Sequence, residues 1–165
     1  MGIYLNPDNI GFQKALNAKI YVDKSEMISQ VNKMVYTQDR YICVTRPRRF
    51  GKTMAANMLT AYYSRGCDSR DMFAPLKISA DDSFEKYLNK YNVIYFNMID
   101  FLNKNDSIAE NLDYLSRMLI YEIKDENVDV DCFDWDDLVT VLGDVLLKLR
   151  SGSFLLLMNG TAFSE

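Results

Sequence analysis

The chain has 165 residues, 48% of them apolar and 25% charged, and a net charge of −4. That size and balance fit one soluble domain with a core of its own, and the negative charge argues against whole-protein attraction to nucleic acid, leaving only local basic patches for such a contact. There is no histidine, so Ser-His-Asp, Cys-His and His-ligated zinc chemistry are excluded within this chain, and carboxylates, Lys, Arg, hydroxyls and a bound metal remain.

In chain order, Gly11 to Ala18 reads as a short amphipathic helix. Asp23-Lys-Ser-Glu26 reads as a capping box, followed at helical spacing by Met27, Ile28, Val31, Met34 and Val35. Tyr41 to Val44, rich in β-formers, is expected to be a short buried strand. Thr53 to Ser64 is expected to be a helix, Arg65 to Leu76 a turn-rich connector and Asp82 to Tyr91 a further short helix. Val93 to Phe96 reads as a second buried strand. Ser107 to Glu110 forms another capping box and opens a long amphipathic helix through Leu112, Leu115, Leu119 and Ile123. Asp134 to Leu149 reads as one more helix and Phe154 to Met158 as a third strand. Short apolar strands alternating with helices predict an α/β fold whose mostly parallel sheet is flanked by helices. Three strands make that sheet thin, so the expectation is an incomplete domain.

The first fifteen residues lack an apolar core behind a basic start, which argues against a signal peptide. No apolar run approaches the roughly 18 residues of a membrane span. The cysteines Cys43, Cys67 and Cys132 are scattered and odd in number, so they read as small apolar fillers in a reducing cytoplasm and not as a disulfide framework.

The segment V-T-R-P-R-R-F-G-K-T, Val44 to Thr53, ends like a phosphate-binding loop, G-x-x-x-x-G-K-[ST], with Arg46 at the first-glycine position. Gly51 lets the backbone approach an anion closely. Lys52 has the reach for β- and γ-phosphates, and the Thr53 hydroxyl is suited to Mg²⁺. Arg46, Arg48 and Arg49 add charge beside the same spot, and Pro47 stiffens the turn that the missing glycine would allow. Phe50 and Met54 complete the candidate nucleotide-binding segment, with Lys52 as its catalytic cation. Two other readings stay open: a solvated basic turn, and a contact to nucleic acid or a partner protein through the Arg46–Arg49 loop.

The blocks Y-V-D-K-S-E-M-I, Y-I-C-V-T-R-P-R-R-F-G-K-T, Y-Y-S-R-G-C-D-S-R-D-M-F-A-P-L-K-I and S-F-E-K-Y-L-N-K-Y-N-V-I-Y-F-N-M resemble, in order, the predicted AAA-ATPase-like proteins of anaerobic and gut bacteria. In that family R-P-R-R-F-G-K-[ST] is the phosphate loop itself. The resemblance implies a cytoplasmic P-loop NTPase domain using ATP and Mg²⁺. It also implies that longer members carry a nuclease-like domain of PD-(D/E)XK type, through which nucleic acid would be a partner; no membrane partner is implied. On this footing residues 1–165 are expected to be a single partial, truncated P-loop ATPase domain. Residues 1–40 would be its helical lead-in and 41–165 its incomplete sheet-and-helix core.

The tail departs from the pattern. The family resembles an apolar strand followed by I-D-E-W-D, whereas this chain has Asn159 and Gly160 at the acidic positions. Asn159 is thus a degenerate metal position, and hydrolysis is expected to be deficient. Back-translating Phe154 to Glu165 with permitted codons, then reading from the third base of each, gives F-I-I-D-E-W-D-C-I-F-R, with the glutamate fixed by Met158 followed by Asn159. The expectation is a frame-shifted tail with the slip near Arg150 to Ser153. Asp129, Asp131, Asp134, Asp136 and Asp137 lack calcium-loop spacing and read as helix capping and a solvated face. Asp100 is a weaker metal candidate after the second strand. Tyr62, Tyr63, Tyr91, Tyr95 and Phe96 read as packing.

Overall fold

A computed structural model describes residues 2–45, 47, 50–97, 107–126, 132–148 and 154–159, which fall into two compact units.

Asp8–Lys90 form one unit. Its elements are α1 (Ile10–Leu16), α2 (Glu26–Met34), α3 (Lys52–Tyr63), α4 (Arg70–Phe73), a 3-10 turn (Lys77–Ala80) and α5 (Phe84–Tyr87). The core gathers on α3, where Met58, Ala61, Tyr62 and Tyr63 are buried. The Tyr62 ring stands edge-on to Tyr63 at 4.8 Å and to Phe73 at 5.4 Å, and Phe73 stacks on Phe12 at 5.0 Å. Each such pair adds about 1 kcal/mol to the burial of its area. The C-terminal carbonyls of α3 are satisfied from outside the helix. Asn89, held at φ 53°, donates its side-chain amide to the Ala61 and Ser64 carbonyls at 3.0 and 2.7 Å, and its backbone N–H to Tyr62 at 2.7 Å.

The Asp23–Glu26 capping box is not formed. The Asp23 carboxylate accepts from the N–H of Ser25 at 2.8 Å and from that of Lys77 at 2.9 Å, while the buried Ser25 hydroxyl accepts from the N–H of Ile78 at 3.1 Å. Both side chains therefore fasten the segment before α2 to the 3-10 turn. Asp81 extends the same seam. It accepts from the Ser29 hydroxyl and, at 2.5 and 2.9 Å, from the hydroxyl and N–H of Ser83. These donors, Ser29 first, hold its carboxyl down at about 2, below the ordinary 3.8. A carboxylate depressed in the folded state stabilises above its unfolded pKa and loses that contribution as pH falls through the folded value. The protection of α2 amides, taken relative to their intrinsic exchange rate at each pH, is therefore expected to fall between pH 3.8 and about 2, and Asp81→Asn is expected to flatten that dependence. An equal pH response in both proteins would remove Asp81 as its source.

Met1–Pro7 and Tyr91–Glu165 form the second unit. It holds β1 (Asn92–Asn97), α6 (Ile108–Asp125), α7 (Leu138–Lys148) and β2 (Phe154–Asn159). The strands pair in parallel, from Asn92 opposite Phe154 to Asn97 opposite Asn159. On β1 the N-terminal segment bridges antiparallel at Leu5–Ile94, with Asn6 N–H donating to Val93 at 2.7 Å and Tyr95 N–H to Tyr4 at 2.8 Å. Leu5, Ile94, Leu119, Ile120, Ile123, Val141 and Val145 form the core, with Trp135 and Leu138 packed on it. Ser107 caps α6 as its sequence suggests, accepting from the N–H of Ala109 at 3.2 Å. The Lys124 ammonium lies 4.5 Å from the Trp135 ring centroid.

The expected architecture, a truncated P-loop NTPase with a mostly parallel sheet flanked by helices, is not what the structure shows. The described residues are mostly helical, and their one ladder is the β1–β2 pair. Tyr41–Val44 is not a strand: it pairs with nothing regular among the described residues, and Tyr41 is 83% exposed. A β-prone run becomes a strand only when a partner takes up its N–H and C=O groups, and none is supplied in the helical unit around it. The helix expected over Asp82–Tyr91 shrinks to Phe84–Tyr87, and the connector over 65–76 contains α4. Among the described residues no helix is long and apolar enough to cross a membrane.

Candidate functional site

The Gly-Lys-Thr segment lies at the start of α3. Gly51 is the N-cap, in the left-handed region at φ 79° and ψ 23°, and its carbonyl accepts from Ala55 N–H at 2.9 Å to close the first turn. Glycine takes this conformation without the Cβ penalty. The first turn of α3 contains no acidic residue and no side-chain cap, so the positive end of the helix is not offset locally. Lys52 is half-buried, Thr53 is exposed and Met54 is half-buried on that turn. Phe50 is exposed in the approach to the turn, as is Pro47. Arg46, Arg48 and Arg49 lie outside the described residues.

α3 is held firmly behind this end. Gly11 of α1 faces Asn57, and a Cβ on Gly11 would come within 2.8 Å of the Asn57 amide nitrogen. Glycine thus allows α1 and α3 their close approach.

One further cation stands at the turn. A Cβ built on Gly51 would lie 3.8 Å from Lys24 Nζ and 3.5 Å from Met54 Cε. By its local spacing Lys24 is only the interior of a capping box. Its place is set by the hydrogen bonds of Asp23 and Ser25 to residues more than fifty positions away, and no local spacing carries that.

Asn159 closes β2 in the other unit, opposite Asn97 in register. Gly160, Asp100 and the Arg150–Ser153 junction lie outside the described residues, as do Asp129 and Asp131. Of the rest of the acidic cluster, Asp137 caps α7 and Asp134 closes the turn before it. Asp137 accepts from the N–H and hydroxyl of Thr140 at 2.9 and 2.6 Å, which lowers its carboxyl pKa, and Asp134 accepts from Asp136 N–H at 2.9 Å. Among the described residues no group of three His, Cys, Asp or Glu side chains could hold a metal. No disulfide joins the described cysteines.

A left-handed glycine opening a helix whose next residues are lysine and threonine combines close backbone approach, a helix N-terminus, a cation and a hydroxyl. That set suits an anion. The chain belongs to the AAA-ATPase-like family, described as predicted AAA-ATPase, whose model matches residues 12–150. No curated protein and no solved structure matches it.

Proposed function

We propose that the chain binds ATP with Mg²⁺ at the Gly51 turn. The observation that carries this is the left-handed Gly51 at the start of α3, directly before Lys52 and Thr53, in a chain of a predicted ATPase family. The backbone from Gly51 to Met54 would receive phosphate oxygens. Lys52 would neutralise the β- and γ-phosphates, and the arginines Arg46, Arg48 and Arg49 would add charge to the same loop. The Thr53 hydroxyl is a hard oxygen donor on the exposed first turn and fits Mg²⁺ carried on nucleotide phosphates. Mg²⁺ would supply charge neutralisation of those phosphates when bound. In the sequence Asn159 stands, uncharged, at the place of the family's acidic residue, so slow hydrolysis belongs to this reading.

The test is equilibrium binding of ATP with and without Mg²⁺. The parent is expected to bind in a Mg²⁺-dependent way, and Lys52→Ala to bind at least about tenfold more weakly, a loss of ~1.4 kcal/mol. Equal affinity in the two proteins would remove the loop assignment. Retention of an oligonucleotide that weakens steeply with salt and ignores Mg²⁺ would instead place the loop in a nucleic-acid contact.

A further inference from the structure

We propose that Lys24 is a phosphate-binding residue of the Gly51 turn, delivered there by the Asp23–Ser25 clasp; this rests on the nucleotide reading above. The geometry is specific. Lys24 Nζ lies 3.8 Å from where a Gly51 Cβ would stand, on the side of the turn that glycine leaves open. An anion approaching the Gly51 backbone from that side meets the ammonium as well.

The segment that carries Lys24 is fixed independently of any ligand. The buried Ser25 accepts from Ile78 N–H, and Asp23 accepts from Lys77 N–H. The acids of the same segment are engaged elsewhere. Asp23 is spent on two backbone N–H groups, which lower its pKa against the opposing effect of burial, and Glu26 pairs with Lys77 at 3.0 Å. Among the described residues Lys24 forms no ion pair. Lys24 is exposed; an exposed cation beside a helix N-terminus, with the carboxylates of its own segment engaged elsewhere, adds repulsion to that end of the helix until an anion arrives. The arrangement makes sense as half of a charge pair whose other half is the ligand. Lys24 and Lys52 then approach the phosphates from two different elements, the segment before α2 and the first turn of α3.

The experiment measures Kd for Mg-ATP on the full chain for the parent, Lys52→Ala, Lys24→Ala, Lys24→Arg and, as a control for net charge, Lys19→Ala. Lys24→Ala is expected to raise Kd about five- to tenfold, Lys24→Arg to recover most of the affinity, and Lys19→Ala to leave it unchanged, since a charge-assisted contact acts locally. Without ligand, the thermal midpoint of Lys24→Arg is expected to match the parent's and that of Lys24→Ala to be equal or slightly higher, because the repulsion at the helix end is relieved; a loss of affinity without a loss of stability separates lost contact from lost structure. Loss on Lys52→Ala with no change on Lys24→Ala overturns the role of Lys24 and leaves the nucleotide site standing. A parent that binds no ATP overturns both together. Equal weakening by Lys24→Ala and Lys19→Ala reduces the effect to bulk charge and also overturns the proposal.

Discussion

Replacing Glu122 by alanine is expected to lower the stability of the β1–α6 unit by about 3 kcal/mol. Glu122 lies on the buried side of α6, and its carboxylate accepts three backbone N–H groups from the N-terminal segment: Ile3 at 2.7 Å, Tyr4 at 3.0 Å and Leu5 at 2.7 Å. Hydrogen bonds to an ionised group contribute about 1.5–3 kcal/mol each, and a buried donor left without an acceptor costs about 1–3 kcal/mol. Ile3 is exposed, so water replaces the carboxylate there. Leu5 is buried and Tyr4 partly so, and these two donors account for most of the loss. The segment they anchor also supplies the antiparallel bridge at Leu5–Ile94, so the change is expected to loosen the edge of β1. Trp135 is the single tryptophan of the chain and packs on this unit's core, which makes its fluorescence in a urea titration a local report. Glu122→Gln is expected to fall between parent and alanine, because it keeps one acceptor oxygen but turns an NH₂ group toward an N–H donor. A loss below about 1 kcal/mol for alanine would mean that water reaches all three donors.

The same residue shows where the sequence stops being legible. The long helix behind Ser107 follows from residues three and four apart and is present, whereas of the expected capping box only the serine half forms, Ser107 accepting from Ala109 N–H with no return bond from Glu110. The apolar runs Val93–Phe96 and Phe154–Met158 are strands: the first is rich in β-formers, the second is a short apolar run centred on leucines, and each gives the other a partner. Leu119 and Ile123 are buried as their spacing suggests, yet Leu112 on the same stripe is half exposed. Glu122 reads as one more polar helical residue because its partners are 117 to 119 positions away. Tyr41–Val44 fails for the complementary reason: its composition is that of a strand, but a strand is a property of two segments. Asp23 and Ser25 carry the residue types of a helix cap, and tertiary partners at Lys77 and Ile78 take them instead. The Gly51 turn was visible as a motif, its left-handed backbone follows from glycine, and only the presence of Lys24 beside it required the fold.

Gly51→Val is expected to cost stability and nucleotide affinity together, and Gly51→Asn to cost affinity alone. At φ 79° a β-branched residue is strained, by about 1–2 kcal/mol or more, whereas asparagine visits the left-handed region readily. Crowding is not the obstacle, because an added Cβ meets Met54 Cε at 3.5 Å and Lys24 Nζ at 3.8 Å, both ordinary contacts. The stability difference between the two variants therefore isolates the backbone term. Both place a side chain beside Lys24 on the side of the turn that glycine leaves open, where the proposed phosphate would approach. A loss of at least about tenfold in Mg-ATP affinity is expected for each, ~1.4 kcal/mol. Thermal midpoints without ligand and titrations with Mg-ATP measure the two effects separately. If both variants bind like the parent, close backbone approach at this turn plays no part in binding. The affinity would then have to come from side-chain charge alone, and the case for a phosphate cradle at the start of α3 would be lost. If valine weakens binding and asparagine does not, the glycine is needed for the shape of the turn and not for the room it leaves.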